Sequence, residues 1–239
     1  MNYLYLIIIL LISFFNPLFA ENSANKIKFL LGQFKPEKHS EFVNLKQSII
    51  PVARDNLYLK KEVVEQLEKL YKQLKHDIPD AKFWITSATR SYWHQKQIWE
   101  KKWEKYKKLY KHNNQKIAQK ILEYSSMPGT SRHHWGTDFD INILQNDYYN
   151  KDNGKKIYEW LKKNAMKYGF CMPYNEGRLQ GYQLEKWHWS YYKLAKQYQK
   201  EWNQYFKNNY FDIYIDFKGK EFFKKYAYIY VNSINEECK

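Results

Sequence analysis

Hydrophobic and polar positions alternate along this chain with two periods, and the change from one to the other marks out its elements. Over residues 59–78, Leu59, Val63, Leu67, Leu70, Tyr71, Leu74 and Ile78 recur at three- and four-residue steps, which predicts an amphipathic helix stopped by Pro79. Phe83-Trp84-Ile85-Thr86 is a short apolar run of strand type. Residues 91–124 return to a helical period, with Trp99, Trp103, Tyr106 and Tyr110 on one face, and Asn113-Asn114 divides the stretch into two helices. Residues 126–136 contain Ser, Pro and Gly and read as a loop, and Thr137 to Ile143 alternates as a strand. A further amphipathic helix over 155–168 uses Ile157, Trp160, Leu161 and Tyr168, with Gly169 placed to cap it. After a polar loop at 174–183, residues 185–191 alternate again. Trp187, Trp189 and Tyr191 take one face, and Lys186, His188 and Ser190 take the other. Residues 21–50 read as a polar, loosely packed lead-in, and the last fifty residues mix helix with short Tyr- and Ile-rich runs. The sum is helices packed on a small sheet, an α+β arrangement.

The first twenty residues change the picture. Residues 4–15 are an uncharged apolar run, shorter than the roughly 20 residues a bilayer-spanning helix needs. Pro17, the small Ala20 and a polar stretch follow, which reads as a secretory signal peptide cleaved after Ala20. The expected organisation is a signal peptide at 1–20, a lead-in at 21–55 and one domain with a C-terminal extension at 56–239. The net charge of +15 owes nothing to residues 1–20. Such a protein is drawn to polyanions. For an exported chain these are anionic cell wall or membrane surface, and nucleic acid is excluded as the main partner. Export also permits a disulfide between Cys171 and Cys238, the two cysteines of the chain. Two separate buried thiols are the alternative. Their spacing excludes a cysteine-based zinc site.

Two segments carry chemistry. In Ser131-Arg132-His133-His134-Trp135-Gly136-Thr137-Asp138-Phe139-Asp140, a histidine ends a loop and a carboxylate follows seven residues later on a strand. Gly136 lies where a side chain would obstruct the turn or a close backbone approach. In Glu185-Lys186-Trp187-His188, a second carboxylate and histidine lie three residues apart. His133, Asp140 and His188 make a two-histidine, one-carboxylate set, which leaves a fourth zinc position for water and marks a catalytic site. Glu185 is placed to take a proton from that water and deliver it to a leaving amine. Arg90, just after a predicted strand, supplies a permanent cation for a tetrahedral oxyanion. His134 stands as an alternative ligand beside His133, and Asp138 as an alternative beside Asp140.

These residues resemble the VanY-type zinc D-alanyl-D-alanine carboxypeptidases and the related VanX-type dipeptidases. The resemblance runs over residues 84–190 in three blocks. Arg90-Ser91 with Gln95 comes first, then Ser131, His133, Gly136 and Asp140, then Glu185, Trp187 and His188. It implies a small antiparallel sheet carrying a single zinc site. His133, Asp140 and His188 would bind one Zn2+, Glu185 would be the general base, and Arg90 would stabilise the transition state. Gln95 and Ser131 would help hold the substrate's terminal carboxylate. Two departures concern Ala88-Thr89, where the family often has Gly-Tyr, and Asp138, where it usually has a small residue.

The leading expectation is an exported metallopeptidase that removes the terminal D-alanine from peptidoglycan stem peptides. An L,D-carboxypeptidase acting on tetrapeptide stems would use the same residues. A non-catalytic cell-wall binding module of the same fold is a third reading, weakened by the presence of both Glu185 and Arg90.

Overall fold

A computed structural model describes residues 17–239, apart from residue 112. Of the expected signal peptide at 1–20, residues 1–16 lie outside the described residues, and residues 17–20 open a helix that continues past the expected cleavage point after Ala20. Helix α1 (Pro17–Leu30) leads to strand β1 (Phe42–Asn44), which pairs antiparallel with β2 (Tyr58–Lys60). Helix α2 (Lys61–Asp77), strand β3 (Ile85–Ser87), and helices α3 (Tyr92–Tyr110) and α4 (Asn114–Leu122) follow. Next come β4 (Asp138–Ile141), α5 (Asp152–Asn164), β5 (Phe170–Cys171) and β6 (His188–Tyr191). Helices α6 (Tyr192–Lys207) and α7 (Phe223–Asn232) end the chain. The main sheet has the order β3-β4-β6-β5, with every neighbouring pair antiparallel. The fold is α+β, as the hydrophobic pattern predicts.

The sheet has two chemically different faces because the strands alternate strictly. Asp138 pairs with Ser190, Phe139 with Trp189 and Asp140 with His188. Successive side chains point to opposite faces. Phe139, Ile141, Trp189 and Tyr191 therefore join a core with Leu67, Leu70 and Leu74 of α2 and Ile157 and Leu161 of α5. The opposite face carries Asp138, Asp140, His188 and Ser190. Beyond it lies a second apolar cluster built from α1, α3, α4, α6 and α7 around Trp99, Trp135 and Trp202. The polar face is thus enclosed within the molecule.

Three expectations are corrected. Leu59 is not in the first helix, because its segment pairs with β1 and the helix starts at Lys61. The second amphipathic helix is α5 with a separate 3-10 turn at Ala165–Tyr168, ended by Gly169 at φ 85°. The segment 21–50 is not loosely packed. Leu30, Leu31 and Leu45 are fully buried, and the Leu30 carbonyl accepts the Trp135 indole N–H. Elsewhere the elements are of the kind the pattern predicts, but the strands are displaced or shorter, at Ile85–Ser87, Asp138–Ile141 and His188–Tyr191. The division at Asn113-Asn114 separates α3 from α4. Gly136, at φ 74°, lies so close to the Phe42 ring that a Cβ would collide with it. Among the described residues no helix is long and apolar enough to cross a membrane.

A disulfide joins Cys171 on β5 to Cys238, closing 67 residues that include β6, α6 and α7. A cross-link over a loop of that size restricts the unfolded chain by about 4 kcal/mol in the loop-entropy picture. Reduction, or Cys238→Ser, should lower the free energy of unfolding by about 2–5 kcal/mol in denaturant melts. Identical melts with and without reductant would count against a stabilising bridge.

Candidate metal centre

The site is assembled by one turn and two paired strands. The 3-10 turn Arg132–Trp135 presents His133, and Gly136 reverses the chain into β4. Antiparallel register then sets Asp140 of β4 against His188 of β6. Ligand atoms of His133, Asp140 and His188 all lie within 4.8 Å of one another, and all three residues are buried. This group can hold one metal ion.

Each ring has one nitrogen committed elsewhere. His133 Nδ1 donates to the Ala88 carbonyl at 2.9 Å, which turns Nε2 toward Asp140 Oδ1 at 3.3 Å. His188 Nε2 is 2.9 Å from Asp138 Oδ2, which turns Nδ1 toward Asp140 Oδ1 at 3.1 Å. Neither approach has the direction of a hydrogen bond, and Asp140 Oδ1 is a buried acceptor without a partner. A buried carboxylate oxygen left orphaned is costly. Two imidazole nitrogens and one orphaned oxygen converging on a point fit a divalent cation, and the donor set suits zinc.

The electrostatics agree. Burial resists ionisation of Asp140, yet the adjacent His133 and His188 hold its carboxyl well below the usual range. Burial likewise opposes charge on His188, but Asp138 and Asp140 outweigh it and raise the imidazole to about 9. Without a metal, a proton supplies the positive charge that these carboxylates attract. His133 is shifted down, by burial first and by Arg90 second. Burial pushes Glu185 up to about 8. Its Oε2 lies 3.6 Å from His188 Nδ1.

The two alternative ligands occupy other places. His134 donates from Nδ1 to the Arg90 carbonyl at 2.6 Å and accepts the Gly129 N–H on Nε2 at 3.1 Å. Both nitrogens are used inside the fold, and burial lowers its pKa to about 3. Asp138 touches the far nitrogen of His188, so it stands behind the ligand group.

Arg90 is fixed from three sides. Its guanidinium donates to Gln95 Oε1 and Ser87 Oγ at 3.0 Å each, and to Asp140 Oδ2 at 3.2 Å. Gln95 is fully buried, and its amide nitrogen donates to the Ser126 carbonyl at 2.7 Å. Both ends of that amide are occupied. Ser131 is 2% exposed, and its carbonyl accepts the His134 N–H. A cavity of about 650 Å³ opens beside the ligands, lined by Arg90, His133, Asp140 and Glu185 together with Ile98, Lys102, Tyr124, Ser125, Leu144, Asp147 and Trp187. Gln95 and Ser131 do not line it. Lys102 bonds Ser125 Oγ at 2.5 Å, and burial pushes its ammonium pKa down.

Sequence reasoning missed Ser87, Lys102, Ser125 and Arg132. Period-2 alternation points Ser190 to the His188 face, and Ser87 follows once β3 is paired to Asp140. Lys102 is one of many lysines in α3, and nothing in its spacing separates it from the rest.

The α+β fold thus sets two histidines and one carboxylate, able to hold one metal ion, beside a buried glutamate. The VanY family model, described as D-alanyl-D-alanine carboxypeptidase, matches residues 56–194. The match takes in more than half of the chain, and the protein belongs to this family of hydrolases acting on D-alanyl-D-alanine peptides. The fold is similar to that of the LdcB LD-carboxypeptidase, at 24% identity and TM-score 0.53, covering 74% of this chain and 80% of that one. VanYB in complex with D-alanine-D-alanine is 22% identical with TM-score 0.49, covering 67% of this chain and 90% of that one. A vancomycin-resistance D,D-pentapeptidase VanY mutant in complex with Zn(II) is 23% identical with TM-score 0.48, covering 66% and 91%. No curated protein matches the sequence.

The Glu185 shift has a sign that can be measured. An unfolded carboxyl ionises near 4.5 and the folded one near 8, so the folded state holds the proton more tightly. Stability from this group is complete below the lower value and is lost as pH rises toward the upper one. In metal-free protein, Glu185→Gln should gain on wild type between pH 5 and pH 8, by an amount on the order of a few kcal/mol. Parallel pH–stability curves in chelator would mean that Glu185 ionises freely.

Proposed function

We propose that this protein is an exported zinc D,D-carboxypeptidase that removes the C-terminal D-alanine from peptidoglycan stem peptides. The observation that carries this reading is the convergence of His133, Asp140 and His188, with His133 and Asp140 sharing one cavity wall with Glu185 and Arg90. His133, Asp140 and His188 would hold one zinc ion, which when bound supplies Lewis acidity to a water nucleophile and to the scissile carbonyl.

The residues of the chain do the rest. Glu185 takes a proton from the attacking water and returns it to the amine as the C–N bond breaks. Its buried position keeps its proton affinity close to neutrality, which suits a group that must both accept and donate. Arg90, locked by Ser87, Gln95 and Asp140, holds the negative charge that develops on the carbonyl oxygen. Gln95 serves by fixing Arg90. The free carboxylate of the leaving alanine is met by Lys102, with Ser125 beside it on the same cavity wall. Ile98, Tyr124, Leu144 and Trp187 offer apolar surface for the alanine methyl groups. The apolar leader and the disulfide both support export.

Zinc-loaded protein incubated with defined stems should shorten a pentapeptide by one alanine. Loss of alanine from tetrapeptides alone would move the assignment to an L,D-carboxypeptidase, and no loss from any stem would remove the enzymatic reading. Glu185→Ala should lower kcat by roughly 10²–10⁴-fold while zinc is retained. Lys102→Ala should act mainly on KM. If instead it lowers kcat alone, Lys102 does not anchor the substrate.

A further inference from the structure

We propose that Arg132 and Asp138, tied to α6 through Gln199, form a buried clamp that holds His188 in the one orientation and tautomer that binds a metal. This rests on the metallopeptidase reading above and gives the C-terminal helices a part in the site.

The contacts run in an unbroken series. Asp138 Oδ2 receives His188 Nε2 at 2.9 Å and Arg132 Nε at 3.0 Å. Its other oxygen receives Thr137 Oγ at 2.6 Å and Ser190 Oγ at 2.8 Å. The carboxylate therefore has four donors and little freedom to rotate. Arg132 also donates to Ser190 Oγ at 2.9 Å and to Gln199 Oε1 at 3.4 Å, and its guanidinium lies 5.2 Å from the Trp135 ring centroid. Gln199 in turn donates to the Val231 carbonyl and to Asn232 Oδ1 on α7, at 3.0 and 3.1 Å. Arg132 and Asp138 are 1% and 0% exposed.

A buried ion pair is a poor device for stability alone, because desolvation cancels much of its attraction. Its product here is geometric. An anion fixed against Nε2 keeps a proton on that nitrogen and turns Nδ1 toward Asp140, so a cation arriving there displaces only the Nδ1 proton. The ring needs no reorganisation when a cation arrives. Arg132, Asp138 and Gln199 are positioning residues that act through His188. The brace starts from Gln199, which lies past the family match at residues 56–194.

The test is zinc affinity of the full chain, stripped and then titrated against a competing chromogenic chelator, alongside melts of the metal-free forms. Asp138→Asn should weaken zinc binding by about 10–100-fold. Gln199→Leu should weaken it to a lesser degree. Variants that melt lower yet bind zinc as tightly as wild type would overturn the clamp, since a purely structural pair predicts that result. Should Asp138→Asn fail to fold, the double variant Arg132→Met with Asp138→Leu removes both charges together, and unchanged zinc affinity in it has the same force. If wild type itself holds no stoichiometric zinc, the metallopeptidase reading fails and the clamp with it. Zinc-bound wild type with unaffected variants rejects the clamp alone.

Discussion

Two carboxylates, Asp138 and Asp140, are buried on the same face of one four-residue strand, and the surrounding structure makes that burial tolerable. An isolated buried carboxylate costs several kcal/mol, so each needs its own cation and donors. Asp138 has Arg132 together with two hydroxyls and an imidazole. Asp140 has Arg90 on one oxygen only. The unequal provision is the functional feature. One carboxylate is fully satisfied by protein, and the other keeps an open acceptor between two histidines. On the proposed reading a divalent ion completes the second, and the first keeps its histidine aligned.

Enclosure follows from the same constraint. A polar sheet face left in water would not hold its carboxylates in this electrostatic state, so a second layer of helices covers it. Trp135 is central to that cover, and its indole is bound by the Leu30 carbonyl. Trp202 bonds the Gly129 carbonyl in the loop that leads to His133. The segments outside the family match, α1 with most of α6 and all of α7, therefore help enclose the candidate metal centre. The disulfide anchors the end of that cover to β5, beside the strand that carries His188.

The three residues that converge, His133, Asp140 and His188, were legible as candidates in the sequence because they sit in short local patterns. Period-2 alternation puts Asp138 and Asp140 on one face of a strand, and the same rule joins His188 to Ser190. Features made by distant pairing were not legible. Leu59 has helical spacing with Val63, yet its partner is Val43 on β1, which no local period reveals. Residues 27–31 are apolar at Ile27, Phe29, Leu30 and Leu31, a run too short to show a helical period, and the surfaces they cover come from Trp135 and the C-terminal helices. Gln95 shows the same limit at the site itself. Its spacing from Arg90 was plain, but only the fold shows that Ser126 occupies its other end.

The charge of the protein works on two scales, and they should not be merged. Exposed lysines of α3 such as Lys101, Lys105 and Lys108 act through a field that salt screens within a Debye length of about 8 Å at physiological ionic strength. Such a field attracts polyanions in general and chooses no bond to cut. Lys102 differs from its neighbours in position alone. It follows Ile98 by one helical turn, lies half-buried on the cavity wall and leans on Ser125. A cation so placed can distinguish a free terminal carboxylate from an amide in mid-chain, because only the former satisfies it. On the proposed reading, chain-end selectivity therefore resides in one partly desolvated ammonium, and the +15 net charge serves encounter.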